Sequence, residues 1–80
     1  YAAAYSNLSA LYFKKNDYQK SKDTADKAIA KDANYSPAYV NRGMANEMLR
    51  NMSAACEDWS KAAELSDESG KAYYSTNCGF

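Results

Sequence analysis

Cys56, Glu57, Asp58 and Trp59 are consecutive, and together they hold a thiol, two carboxylates and the only indole of the chain. A cysteine attacks as its thiolate, which needs a neighbouring base or a positive environment. The 80 residues include no histidine, so the commonest general base and neutral metal ligand is missing. Two carboxylates beside Cys56 oppose its ionisation. On a helix adjacent side chains point about 100° apart, so Glu57 and Asp58 do not converge on one ion. With Glu64 they read as a solvated acidic face, as do Asp23, Asp26, Lys20 and Lys27 on the preceding helix, and Trp59 reads as core. Cys56 and Cys78 are the only cysteines, too few for zinc without carboxylate help, and they lack C-x-x-C spacing. No catalytic residue, metal or cofactor is expected.

The elements that carry these residues repeat. Shifted by 34 residues, Tyr5 falls on Tyr39, Asn7 on Asn41, Lys27 on Lys61 and Ala28 on Ala62. Within each unit the apolar and small residues step by three or four, as on one face of a helix: Tyr5, Leu8 and Tyr12, then Tyr18, Ser21, Ala25 and Ala28. The second unit continues with Tyr39 and Gly43, then Met52, Ala55, Trp59, Ala62 and Leu65. Asn16 suits a left-handed helix end and Asp17 a cap. Ser36 is expected to cap the third helix with Pro37 at its first position, and Ser66 or Asp67 to cap a fifth.

Ten basic and ten acidic residues cancel, which removes any charge argument for nucleic acid or a membrane surface. Residues 2–35 carry six Lys against four Asp, and residues 36–69 three basic groups against six acids, too slight an asymmetry to name a ligand. No signal peptide or membrane-inserting segment is seen, and a first residue other than Met suggests a piece of a longer protein. Asn-x-Ser sequences at Asn7, Asn34 and Asn51 are short enough to be coincidental.

The 34-residue pattern resembles the tetratricopeptide repeat (TPR), a helix–turn–helix unit whose pairs stack into a right-handed superhelix. Its small eighth and twentieth positions are met by Ser9 and Ser21, then Gly43 and Ala55, and its aromatic fourth position by Tyr5 and Tyr39. Trp59 fills the large twenty-fourth position in the second unit, against only Ala25 in the first, and the closing proline is replaced by Ala33 and Asp67. The resemblance implies an all-α fold of antiparallel helix pairs in a short solenoid. Repeat 1 would span about 2–35, repeat 2 about 36–69, and a terminal helix about 67–80.

The register of that last helix decides the sulfur chemistry. A strict 34-residue step places Asn77 at the small eighth position and turns Cys78 to the concave face. The capping signals in Ser66–Gly70 suggest an earlier start, with Ser75 at the small position and Cys78 in the core. The run from Trp59 to Tyr74 also resembles Sel1-type repeats, whose shorter connection supports the second register. The two registers leave open either a Cys56–Cys78 disulfide or two half-buried thiols, the former favouring an extracytoplasmic location.

By the same resemblance a partner binds the concave face. That face would present Ser6, Asn7, Ala10, Phe13 and Lys14 from repeat 1. Repeat 2 would add Val40, Asn41, Met44, Glu47 and Met48, and the terminal helix Lys71, Tyr74 and Ser75. Repeated Asn7 and Asn41 suit a peptide backbone, and Met44 and Met48 give adaptable apolar contact. Of the family's two-carboxylate clamp for chaperone tails only Asn41 and Lys71 match, so that ligand is disfavoured. The expectation is a non-catalytic module that binds a protein or peptide. The alternative is a structural spacer or self-association module, with another copy covering the exposed terminal helices.

Overall fold

Three turns of one kind shape the chain. In the computed structural model, which describes residues 1–78, five α-helices follow one another: α1 (Ala2–Lys14), α2 (Tyr18–Lys31), α3 (Ser36–Met48), α4 (Met52–Glu64) and α5 (Glu68–Asn77). Among the described residues there is no strand. Residues 79 and 80, part of the expected terminal helix, lie outside the described residues.

Lys15-Asn16-Asp17, Leu49-Arg50-Asn51 and Leu65-Ser66-Asp67 turn alike, with the middle residue left-handed at φ 64°, 63° and 67°. The Asp17 N–H donates back to the Tyr12 carbonyl and the Asn16 N–H to that of Phe13. Asn51 and Arg50 bond likewise to Asn46 and Glu47, and Asp67 and Ser66 to Ala62 and Ala63. Such paired bonds satisfy carbonyls that a helix end leaves free. The third residue of each turn then caps the next helix. Asp17 accepts from the Lys20 N–H, Asn51 from Ala54, and Asp67 from Ser69 and Gly70.

The α2–α3 connection is built differently. Asp32 leaves the helix in an extended conformation, and the Tyr39 hydroxyl holds the loop by donating to the Ala33 carbonyl at 2.8 Å. Here the expected cap is corrected: Ser36 is the first helical residue, Tyr35 occupies the cap position without a side-chain bond, and Pro37 lies in the first turn. The Ser36 hydroxyl instead donates to Asp67 Oδ2 at 2.7 Å, tying the start of α3 to the start of α5.

The difference in turns sets the repeat step. Helices α1, α3 and α5 begin at Ala2, Ser36 and Glu68, spacings of 34 and then 32 residues. The strict 34-residue step therefore fails at α5, because α4 runs into it through the tight turn at Ser66.

Each helix pair meets at small residues. Ser9 and Ser21 are fully buried where α1 crosses α2. The Ser9 hydroxyl donates to the Ser21 carbonyl at 2.7 Å, and the Ser21 hydroxyl to the Ser9 carbonyl at 2.9 Å. Between α3 and α4 the Trp59 indole, fully buried, lies over Gly43. Removing a buried indole costs about 3–5 kcal/mol, which makes Trp59 the main packing residue of that pair. Gly70 sits against Ala62, and the Tyr73 ring stacks on Trp59 at 5.2 Å between centroids. The core of Tyr39, Val40 and Ala62 is flanked by Ile29, Met44, Leu65 and Tyr73. Among the described residues no helix covers the outer side of α1, and Leu8 and Leu11 are 39% and 47% exposed.

Candidate functional site

Helices α1, α3 and α5 lie side by side, with α3 touching both neighbours. Along their shared face, Asn41 Nδ2 donates to both the Ser6 carbonyl and the Ser6 hydroxyl, each at 3.0 Å. That amide nitrogen ties α3 to α1. Ser6 is buried, Asn7 and Lys14 are exposed, and Ala10 is half-buried. Phe13, also half-buried, packs on Tyr18 at 5.3 Å. On α3, Met44 and Glu47 are half-buried and Met48 is exposed. Val40 is mostly buried in the core with Tyr39 and Ala62 and leaves only an edge exposed.

The terminal helix departs from expectation. Two residues of earlier start turn the helix by about 200°, and Tyr74 consequently lines a cleft with Cys56, Glu57, Ser60 and Glu64 of α4. Lys71 is exposed and pairs with Glu68 at 3.6 Å, and Ser75 is exposed. Other α5 residues line clefts on a different side of the helix. Ser69, Ala72, Tyr73, Thr76 and Asn77 line a shallow cleft of about 370 Å³. Ser69 also borders a smaller cleft, of about 230 Å³, shared with Pro37, Val40, Asn41 and Asp67.

Asp58 is not on a solvated face. It is 5% exposed and accepts from Arg42 Nε at 3.1 Å on both oxygens, from an Arg42 terminal nitrogen at 2.7 Å, and from Asn46 Nδ2 at 3.0 Å. The other Arg42 terminal nitrogen donates to Asp26 Oδ1 at 3.0 Å. The guanidinium also lies 5.5 Å from the centre of the Tyr39 ring. Glu57, one residue earlier and a third of a turn away, stays exposed. Burial alone would lower the Arg42 pKa, but hydrogen bonds to Asp58 and Asp26, and their charges, outweigh it and raise it. Asp26, with Lys22 at 3.5 Å, keeps 42% of its side chain in water. Asn46 Oδ1 is buried without a hydrogen-bond partner. This cluster is consumed by its own ion pairs, and it braces α2, α3 and α4 together.

Cys56 and Cys78 are joined by a disulfide with Cα atoms 5.9 Å apart. The cysteine pair thus closes the α4–α5 junction, as the Asp26–Arg42 ion pair closes the α2–α3 junction. Among the described residues no group of three or more His, Cys, Asp or Glu side chains is placed to hold a metal ion. No helix there is long and apolar enough to cross a membrane. One signal for the missed ion-pair cluster was present: Asp26, Arg42 and Asp58 are spaced 16 residues apart in turn.

No family model matches the chain, and no solved structure matches it. Over 59 residues it is similar to RNA polymerase II-associated protein 3 of Xenopus tropicalis, with 34% identity across 74% of this chain and 9% of that protein.

Proposed function

We propose that the chain is a TPR-like, non-catalytic module that binds a peptide or protein segment along the face shared by α1, α3 and α5. The observation that carries this reading is the row of partly exposed apolar side chains on that face. Phe13 and Met44 are half-buried and Met48 is exposed. Methionine and aromatic surface of this kind adapts to a partner without requiring charge. The name of the relative, an associated protein of RNA polymerase II, supports a protein partner; the chain spans 9% of that relative's length. The Cys56–Cys78 disulfide supports an extracytoplasmic location, where thiols are oxidised. A spacer role is the second reading, favoured by the use of Asn41 on Ser6 within the chain.

Selection of a displayed random-peptide library on the purified protein tests the proposal. Enriched peptides are then titrated by fluorescence polarisation. Binding is expected to weaken about tenfold or more in a Met44→Ala, Met48→Ala variant, the loss of about 1.4 kcal/mol, and to persist in Met52→Ala. Equal binding by all three proteins removes the groove, and failure to enrich any peptide favours the spacer.

A further inference from the structure

Helix α5 is held differently from the other helices. Only Gly70 of its residues is buried, whereas α2, α3 and α4 each bury four to six. Its other attachments are the Tyr73–Trp59 stack, the Ser36–Asp67 hydrogen bond and the Cys56–Cys78 bond at its far end. Both cysteines are half-buried rather than sealed. They border an open cleft of about 360 Å³ with Met52, Ser53 and Tyr74, so the bond lies beside a surface that a small thiol can enter. The contacts joining α1 to α4, namely the Ser9–Ser21 exchange, Trp59 on Gly43 and the Arg42 ion pairs, include no α5 residue.

We propose that the Cys56–Cys78 disulfide is a redox latch, whose opening by a dithiol lets α5 undock while α1–α4 stay folded. The reductant thiolate attacks one cysteine sulfur, forms a mixed disulfide and releases the other cysteine as thiolate. The second reductant thiol displaces the first cysteine. Two electrons pass to the cysteine pair, each sulfur gains a proton, and the reductant leaves as its own disulfide. Without the bond, α5 keeps one small buried residue, one ring stack and the Ser36–Asp67 hydrogen bond at its start, and local opening falls to the segment with least burial. Undocking uncovers Ala62 and the Trp59 face that Tyr73 covers. The inference does not depend on the binding face proposed above.

Hydrogen exchange on the full chain, oxidised and in dithiothreitol, tests it, with a Cys56→Ser, Cys78→Ser variant as a permanently open form. Amides of residues 68–77 are expected to lose protection about tenfold or more in both open forms, while those of α2 and α3 change less than threefold. Trp59 emission is expected to shift to longer wavelength in the same samples. Unchanged protection in α5 overturns the latch. Equal loss across all five helices also overturns it, since the bond would then staple the whole fold.

Discussion

The Trp59 indole occupies the space that a side chain at position 43 would need. A Cβ built on Gly43 would lie 2.7 Å from Trp59 Cδ1 and 2.9 Å from Cε2, inside contact distance. Gly43→Ala gains about 1 kcal/mol of helix propensity, but crowding a filled core costs about 1–3 kcal/mol. The net expectation is a modestly lower melting temperature, and a larger fall for Gly43→Val. Circular dichroism melts of the two variants check this, and a variant as stable as the parent would show that the indole moves aside freely.

Asp58 and Asp26 share Arg42 unequally. The Asp58 side chain is 7% exposed and that of Asp26 42%, while Arg42 keeps 26% in water. Breaking a buried pair costs about 3–5 kcal/mol; with Arg42 partly wet, Asp58→Ala is expected to cost about 2–4 kcal/mol. Asp26→Ala is expected to cost under about 1 kcal/mol. Urea unfolding midpoints compare the two, and equal losses would mean that Asp26 is as strongly engaged as Asp58.

Ser9 and Ser21 exchange hydrogen bonds across the α1–α2 crossing, with the hydroxyl oxygens 3.2 Å apart. Each single change to Ala is expected to cost about 1 kcal/mol. The double change should fall short of the sum by about 0.5 kcal/mol or more, since the hydroxyls are one interacting unit. A double-mutant cycle in denaturant measures the difference, and strict additivity would show that the two hydroxyls act separately.

The first turn and its cap were legible in the sequence because they are local, whereas the expected Ser36 cap was not found. Asn16 takes the left-handed conformation and Asp17 the cap, as their chemistry demands. Trp59 was readable as core because it continues an apolar stripe, and it is wholly buried. Asp58 lies in the same stretch, yet its burial depends on an arginine supplied by another helix 16 residues away, which no local pattern reveals. Tyr74 lies beside α4, not α3, for a different reason. Its direction hinges on the turn at Ser66, where two residues of offset reverse the face. The same offset decides whether Cys78 reaches Cys56, so the sulfur chemistry could be read only once the turn was known.

Because the α2–α3 junction carries an ion pair and the α4–α5 junction a disulfide, the two answer to different properties of the solution. Salt screens the partly exposed Asp26–Arg42 contact between α2 and α3 and leaves the covalent bond untouched. A thiol does the reverse. Ionic strength therefore acts on the middle of the array and redox poise on its last junction, and either can be altered without altering the other.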